Sequence, residues 1–137
     1  MIWTTPKFRH FASRLIAFEA EGKTSTDAKI PVACFATEKL RPHLAALMGR
    51  VGYRSLLARA LVFSVMEHPW LGIVSLKKDG SLQGFDVLAA EVDGEKLIDG
   101  CITILANLLG LLETIIGELL MLRLVHDVWP EVSPDDN

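Results

Sequence analysis

Residues 96–127, KLIDGCITILANLLGLLETIIGELLMLRLVHD, are the densest apolar run in this chain and contain no proline. At about 1.5 Å per residue, one continuous helix here would be about 50 Å long, well beyond the usual helix of a small domain. Plotted at about 100° per residue, Asp99, Gly100, Thr103, Ala106, Asn107, Gly110, Glu113, Thr114, Gly117 and Glu118 share an arc of about 140°, and leucines and isoleucines fill the remainder. An apolar face that wide predicts a helix covered by other helices, by a second chain or by lipid, with the rest of the fold arranged around it.

Magnitudes weigh the lipid option. Across residues 101–122, the strongly apolar side chains contribute on the order of −0.5 kcal/mol each to insertion, against roughly +2.5 to +3 kcal/mol each for central Glu113 and Glu118. With Asn107 and two glycines added, the sum lies near zero. The flanks carry only Lys96 on one side and Arg123 with His126 on the other, too few cations to orient a span. A buried helix of a bundle is therefore the stronger reading, and a membrane-associated oligomer using residues 101–122 the alternative.

The chain's 137 residues suffice for a single helical domain, residues 1–137, that buries its own core. Half of them are hydrophobic and the mean hydropathy is +0.33, which predicts surplus apolar surface and a homo-oligomer. Cys34 and Cys101 sit among apolar neighbours without metal-type spacing, so they read as reduced core thiols of a cytoplasmic protein. The opening MIWTTPKFRHF lacks the uninterrupted apolar region of an export signal. Residues 1–70 carry ten Lys and Arg against five Asp and Glu, and residues 71–137 carry four against twelve, which together give the net charge of −3. The two halves are expected to face each other within the fold or across a dimer, or the basic half to meet an acidic protein partner.

The remaining elements follow from their punctuation. Thr5 as N-cap, Pro6 in the first helical position and Gly22 at the end bound a first helix. Phe8, Phe11, Ala12, Leu15 and Phe18 are its buried stripe, with Lys7, Arg9, Arg14, Glu19 and Glu21 turned outward. KTSTDAK, residues 23–29, is a loop. Residues 31–48 are helical with Leu40, Leu44, Leu47 and Met48 inward; at Pro42 either a short turn gives way to a new helix or one helix kinks. Gly49-Arg50-Val51-Gly52 breaks the chain, and residues 53–67 form another helix, stopped by Pro69. Lys78-Asp79-Gly80 turns a small β-hairpin between residues 71 and 85, which needs the helices for support. A short helix over residues 86–92 and a break at Asp93-Gly94 lead to the long helix from Glu95, which Trp129-Pro130 ends before a fraying tail.

No GxSxG, HExxH, CxxC, Walker or GxGxxG motif is present, so no catalytic, cofactor-binding or metal-binding residue is assigned. His10, His43, His68 and His126 lie in different elements and read as surface or capping residues. Glu113 and Glu118 stand about 140° apart on the helix and cannot form a carboxylate pair by themselves. They meet water or pair with arginines of the basic half such as Arg54 or Arg59. Arg123 lies inside the apolar arc and marks either a core end or a partner interface. Gly110 and Gly117, with Thr103 and Thr114 beside them, suit a tight helix crossing. The candidate interaction surface is therefore Arg50, Arg54, Arg59, Glu113, Glu118 and Arg123.

LMGRVGYRSLL, with Arg50 in a G-x-x-G turn and Arg54 and Arg59 beyond it, resembles the backbone-clamping loop of KH domains and, more loosely, the helix-hairpin-helix motif. That resemblance implies nucleic-acid binding through residues 49–59. A glycine link between two antiparallel helices explains the same residues and is preferred. EKLRPHLAALMG, GYRSLLARAL, KKDGSL and LLGLLETIIGELLMLRLV resemble stretches of small bacterial helical proteins, a likeness that carries no site and no reaction. The expectation is a mainly α bundle of about four helices around a long C-terminal helix with one small β-hairpin, acting without a cofactor as a non-enzymatic interaction or adaptor module.

Overall fold

The computed structural model describes residues 6–22 and 35–132. It is mainly helical, in the order α1 (Pro6–Gly22), α2 (Phe35–Glu67), a 3-10 turn (Pro69–Ile73), β1 (Ser75–Leu76), β2 (Leu82–Gln83), α3 (Phe85–Glu91), α4 (Gly94–Ile116) and α5 (Glu118–Val128). The expected cap at Thr5, the 23–29 loop, Cys34 and the tail beyond residue 132 lie outside the described residues.

The central expectation needs correction. The stretch over residues 96–127 is two helices, because Gly117 adopts φ 88°, ψ 160° between α4 and α5. Gly49 does the same inside α2, at φ 82°, ψ 160°, and divides it into residues 35–48 and 50–67. This region of backbone space is essentially closed to residues with a Cβ, at a cost of order 1–3 kcal/mol, so glycine is what lets each helix break within one residue. A Cβ at either position would meet nothing within 4 Å, so the backbone and not crowding sets the requirement. The break at 49–52 thus narrows to Gly49, and Pro42 is carried inside the helix, whose one non-helical residue is Gly49. The membrane alternative loses its single 101–122 helix at the same time.

α4 is the centre of the molecule, in contact with α1, α2, α3 and α5. From Gly100 to Leu112 every residue but Ile102 is buried. Coverage by other helices is as expected, but the small and polar residues of the arc from Gly100 to Gly110 face inward too. Thr103 Oγ1 accepts from Arg9 Nη1 of α1 at 3.2 Å. Asn107 Nδ2 donates to Ser64 Oγ of α2 at 3.1 Å, and that hydroxyl donates to the Ala60 carbonyl at 2.7 Å. Gly100 receives the Trp70 indole, since a Cβ there would stand 2.7 Å from its Cη2. Small residues on this side let α1, α2 and Trp70 approach the α4 backbone. α4 is long and apolar enough to cross a membrane, and 67% of its most apolar window is buried in the fold.

On α1, Phe8, Phe11, Ala12, Leu15 and Ile16 are buried as the spacing requires. Glu19 is not turned outward: it is 3% exposed, and its Oε2 accepts from Lys39 Nζ at 2.7 Å and from the Trp129 indole N–H at 2.8 Å. Trp129 itself is fully buried. One carboxylate thus joins α1, α2 and the end of α5. Arg9 also turns inward, as described below. Cys101 is 2% exposed and disulfide-bonded, which corrects its reading as a reduced thiol. The chain's other cysteine, Cys34, is outside the described residues, and the cysteines no longer argue for a reducing compartment.

The hairpin pairs Ser75 with Gln83 and Leu76 with Leu82, antiparallel. Its turn uses Gly80 at φ 91° and the Asp79 carboxylate, which accepts from Ser81 N–H at 2.9 Å and Ser81 Oγ at 2.6 Å, bonds that hold Asp79 below the usual carboxylate range. α2 supplies the support so short a pair needs. Arg54 Nε donates to the Lys77 carbonyl at 3.0 Å, Glu38 Oε2 accepts the Leu82 N–H at 3.4 Å, and the Tyr53 ring lies under Gly80.

The Tyr53 hydroxyl is buried with no hydrogen-bond partner among the described residues, and burial, helped by Glu38, pushes its ionisation well above the ordinary phenol value. Above about pH 10 the unfolded phenol loses its proton while the folded one keeps it, so stability falls as the pH rises further. Tyr53→Phe is expected to stay within about 1 kcal/mol of the parent at pH 7, because it deletes an unsatisfied hydroxyl, and to lose less stability above pH 10. Urea unfolding at the two pH values measures both.

Candidate interaction surfaces

The six residues singled out in the sequence fall on two surfaces. Glu113 and Glu118 flank the Gly117 break, with the Glu113 carbonyl accepting the Gly117 N–H at 2.8 Å. Arg123 follows on the exposed side of α5. Arg50, Arg54 and Arg59 belong to the second part of α2. The expected pairing of Glu118 or Glu113 with Arg54 or Arg59 does not form. Glu118 instead takes Lys7 of α1 at 2.8 Å, with both side chains about half exposed. Arg54 gives its Nε–H to the hairpin carbonyl of Lys77, and Arg50, Arg54 and Arg59 are all exposed.

The first surface lies between α5 and the first part of α2. His43, Ala46, Leu47, Leu120, Arg123 and Asp127 line a hollow of about 320 Å³, floored by Leu124. Leu47 is 46% exposed, Leu120 41% and the adjoining Leu119 84%. A helix broken after Ile116 presents these side chains in place of a continuous buried stripe. Arg123 and Asp127 are one turn apart and form no ion pair with each other or with other described residues, leaving one free charge of each sign on an apolar face.

The second surface is the outer side of α2 over residues 50–67. Leu56, Leu57 and Ala60 are buried against the core, whereas Val51 and Val62 are 80% and 60% exposed and Met66 is 63% exposed. G-R-V-G is not a loop between antiparallel helices here. Gly49 is a one-residue break, and Gly52 is already helical within α2. The described strands are those of the hairpin after α2, so the strand order around the loop of a KH domain is not reproduced.

A polar cluster that sequence reasoning missed joins α1, the end of α2 and α4. Arg9 Nη2 donates to Glu67 Oε1 at 2.7 Å, and its Nη1 stands 3.5 Å from Asp99 Oδ1. His68 Nε2 approaches Asp99 Oδ2 at 3.2 Å, outside hydrogen-bond geometry. Its ring also lies 5.3 Å from that of Trp70. The guanidinium bridges two carboxylates from different helices, which fixes α1 on the rest of the bundle. Among the described residues no group of three His, Cys, Asp or Glu is placed to hold a metal ion. Across the halves, the ion pairs Lys7–Glu118 and Arg9–Asp99 match the expected facing of basic and acidic regions, while Arg50, Arg54 and Arg59 are left outside it.

No family model, curated protein or solved structure matches this chain at a significant level.

Proposed function

We propose that this chain is a non-enzymatic, self-associating helical interaction module whose copies meet through the α2–α5 face. A continuous apolar rod does not support that reading, since Gly117 breaks it. The observation that carries it is that Leu47 and Leu120, both more than two-fifths exposed, line one hollow, with Leu119, 84% exposed, next to Leu120 on α5. Leucines gathered in this way lose favourable burial of roughly 25 cal/mol for each Å² left in water.

The charges on the face suit a two-fold pair. In such an interface each residue meets the same patch on its partner, so Arg123 of one copy can face Asp127 of the other, and Asp127 the other Arg123. Helical pairs of this kind need no cofactor and no reaction. Leu119→Asp places a charge on the face at a position so exposed that folding should be untouched. The expected result in sedimentation equilibrium is a monomer with the parent's circular dichroism spectrum and melting temperature.

A further inference from the structure

Residues 50–66 contain no Asp or Glu, and Glu67 is engaged by Arg9. At about 100° per residue the outward side of this helix reads, in angular order, Arg54, Val65, Ala58, Val51, Val62, Ser55, Met66 and Arg59. The apolar stripe is therefore edged by an arginine on each side. Beside it lies a groove of about 530 Å³, with Ala58, Val62, Val65 and Met66 as one wall and Gly72 and Leu76 as the other. Gly72 adds no side chain, which keeps that wall low, and a smaller hollow continues past Val62 to Arg59 and Phe63. Arg54, held by the Lys77 carbonyl, brings a guanidinium to the hairpin side of the rim.

We propose that this groove binds an acidic amphipathic helix of a partner protein, with apolar side chains spaced by three or four residues seated in the groove and carboxylates set on Arg54 and Arg59. Charge selects this occupant. A second copy docking through the same stripe would bring arginine against arginine across a two-fold axis with no carboxylate to separate them. The α2–α5 face, which carries charges of both signs, has no such bar, so the two surfaces are independent. Nucleic-acid phosphates would satisfy the arginines but leave the apolar walls unfilled. A lipid surface suits a convex face with aromatic anchors, and this one is concave with valine and methionine. Helix-in-groove recognition matches apolar walls with basic rims to an acidic amphipathic ligand.

The test pans a phage-displayed library of random peptides, about 16 residues long, on the full chain, with counter-selection on Val62→Asp. Expected are peptides with apolar residues at i, i+3 or i+4 and i+7 flanked by Asp and Glu. Their affinity by fluorescence anisotropy should fall about tenfold or more in Arg54→Glu/Arg59→Glu, vanish in Val62→Asp, and weaken with salt. Both variants change exposed positions, and circular dichroism confirms that each is folded. Recovery of no peptides, of basic or neutral ones, or of peptides indifferent to both variants overturns the proposal. It is equally overturned if Val62→Asp dissolves a dimer of the chain itself, or abolishes binding to phosphatidylglycerol vesicles or to a single-stranded oligonucleotide.

Discussion

Leu109→Asp is expected to leave no cooperatively folded protein. Leu109 is fully buried on α4 within a stretch that is covered on nearly every side, and among the described residues no Lys or Arg is buried in the core to meet a carboxylate. An unpaired buried charge costs more than the whole stability of many domains, about 5–15 kcal/mol, unless the group takes up a proton, and the lost leucine packing adds about 2–5 kcal/mol even then. Near-UV circular dichroism and a thermal scan should show no native signal and no sharp transition. Ile116→Asp is the instructive comparison, since both positions lie on the same apolar arc. Ile116 is only partly buried at the last turn before Gly117, so its aspartate reaches water and the variant should fold with reduced stability.

The second large effect belongs to Trp129. Its indole is fully buried, and its N–H rests on Glu19, so Trp129→Ala removes a large apolar group and also deprives a buried carboxylate of one of its two donors among the described residues. The expected loss is about 3–5 kcal/mol. Glu19→Ala should cost less, about 2–4 kcal/mol, from the stranded indole N–H and the lost Lys39 pair. Glu19→Gln keeps an acceptor for Trp129 and should cost about 1–2 kcal/mol, moderated because Lys39 is 44% exposed. Denaturant unfolding of the three variants gives the order, and a double-mutant cycle between Glu19 and Trp129 should show coupling. An additive cycle would mean that the contact contributes nothing of its own.

Much of the architecture was legible because it rests on local chemistry. The aromatic stripe of α1, the stop at Pro69, the Asp79-Gly80 turn and the Asp93 cap, whose carboxylate accepts the Lys96 N–H at 2.7 Å, are all set by residues within a few positions of one another. The Gly117 break was not legible. Gly110 and Gly117 occur one heptad apart in the same leucine-rich setting, and only backbone dihedrals distinguish the helical one from the broken one. No side-chain pattern records that difference.

Glu19 could have been found. It stands four residues after Leu15 and eight after Phe11, squarely on the buried stripe, and a lone carboxylate in that position implies an inward partner. Which partner, however, depends on Lys39 and Trp129, distant along the chain, and long-range polar pairing leaves no trace in periodicity. The same holds for Arg9 with Glu67 and Asp99, and for Asn107 with Ser64. The two surfaces divide the six candidate residues for a similar reason. Sequence grouped Arg54 and Arg59 with Glu113 and Glu118 by charge, whereas packing assigns Arg54 to the hairpin and Glu118 to Lys7.

Sedimentation equilibrium of the full chain, from micromolar to hundred-micromolar concentration, bears most directly on self-association through the α2–α5 face. A reversible dimer that Leu119→Asp converts to monomer is the predicted result. A parent protein that stays strictly monomeric over that range, or a dimer that Leu119→Asp leaves intact, would contradict it.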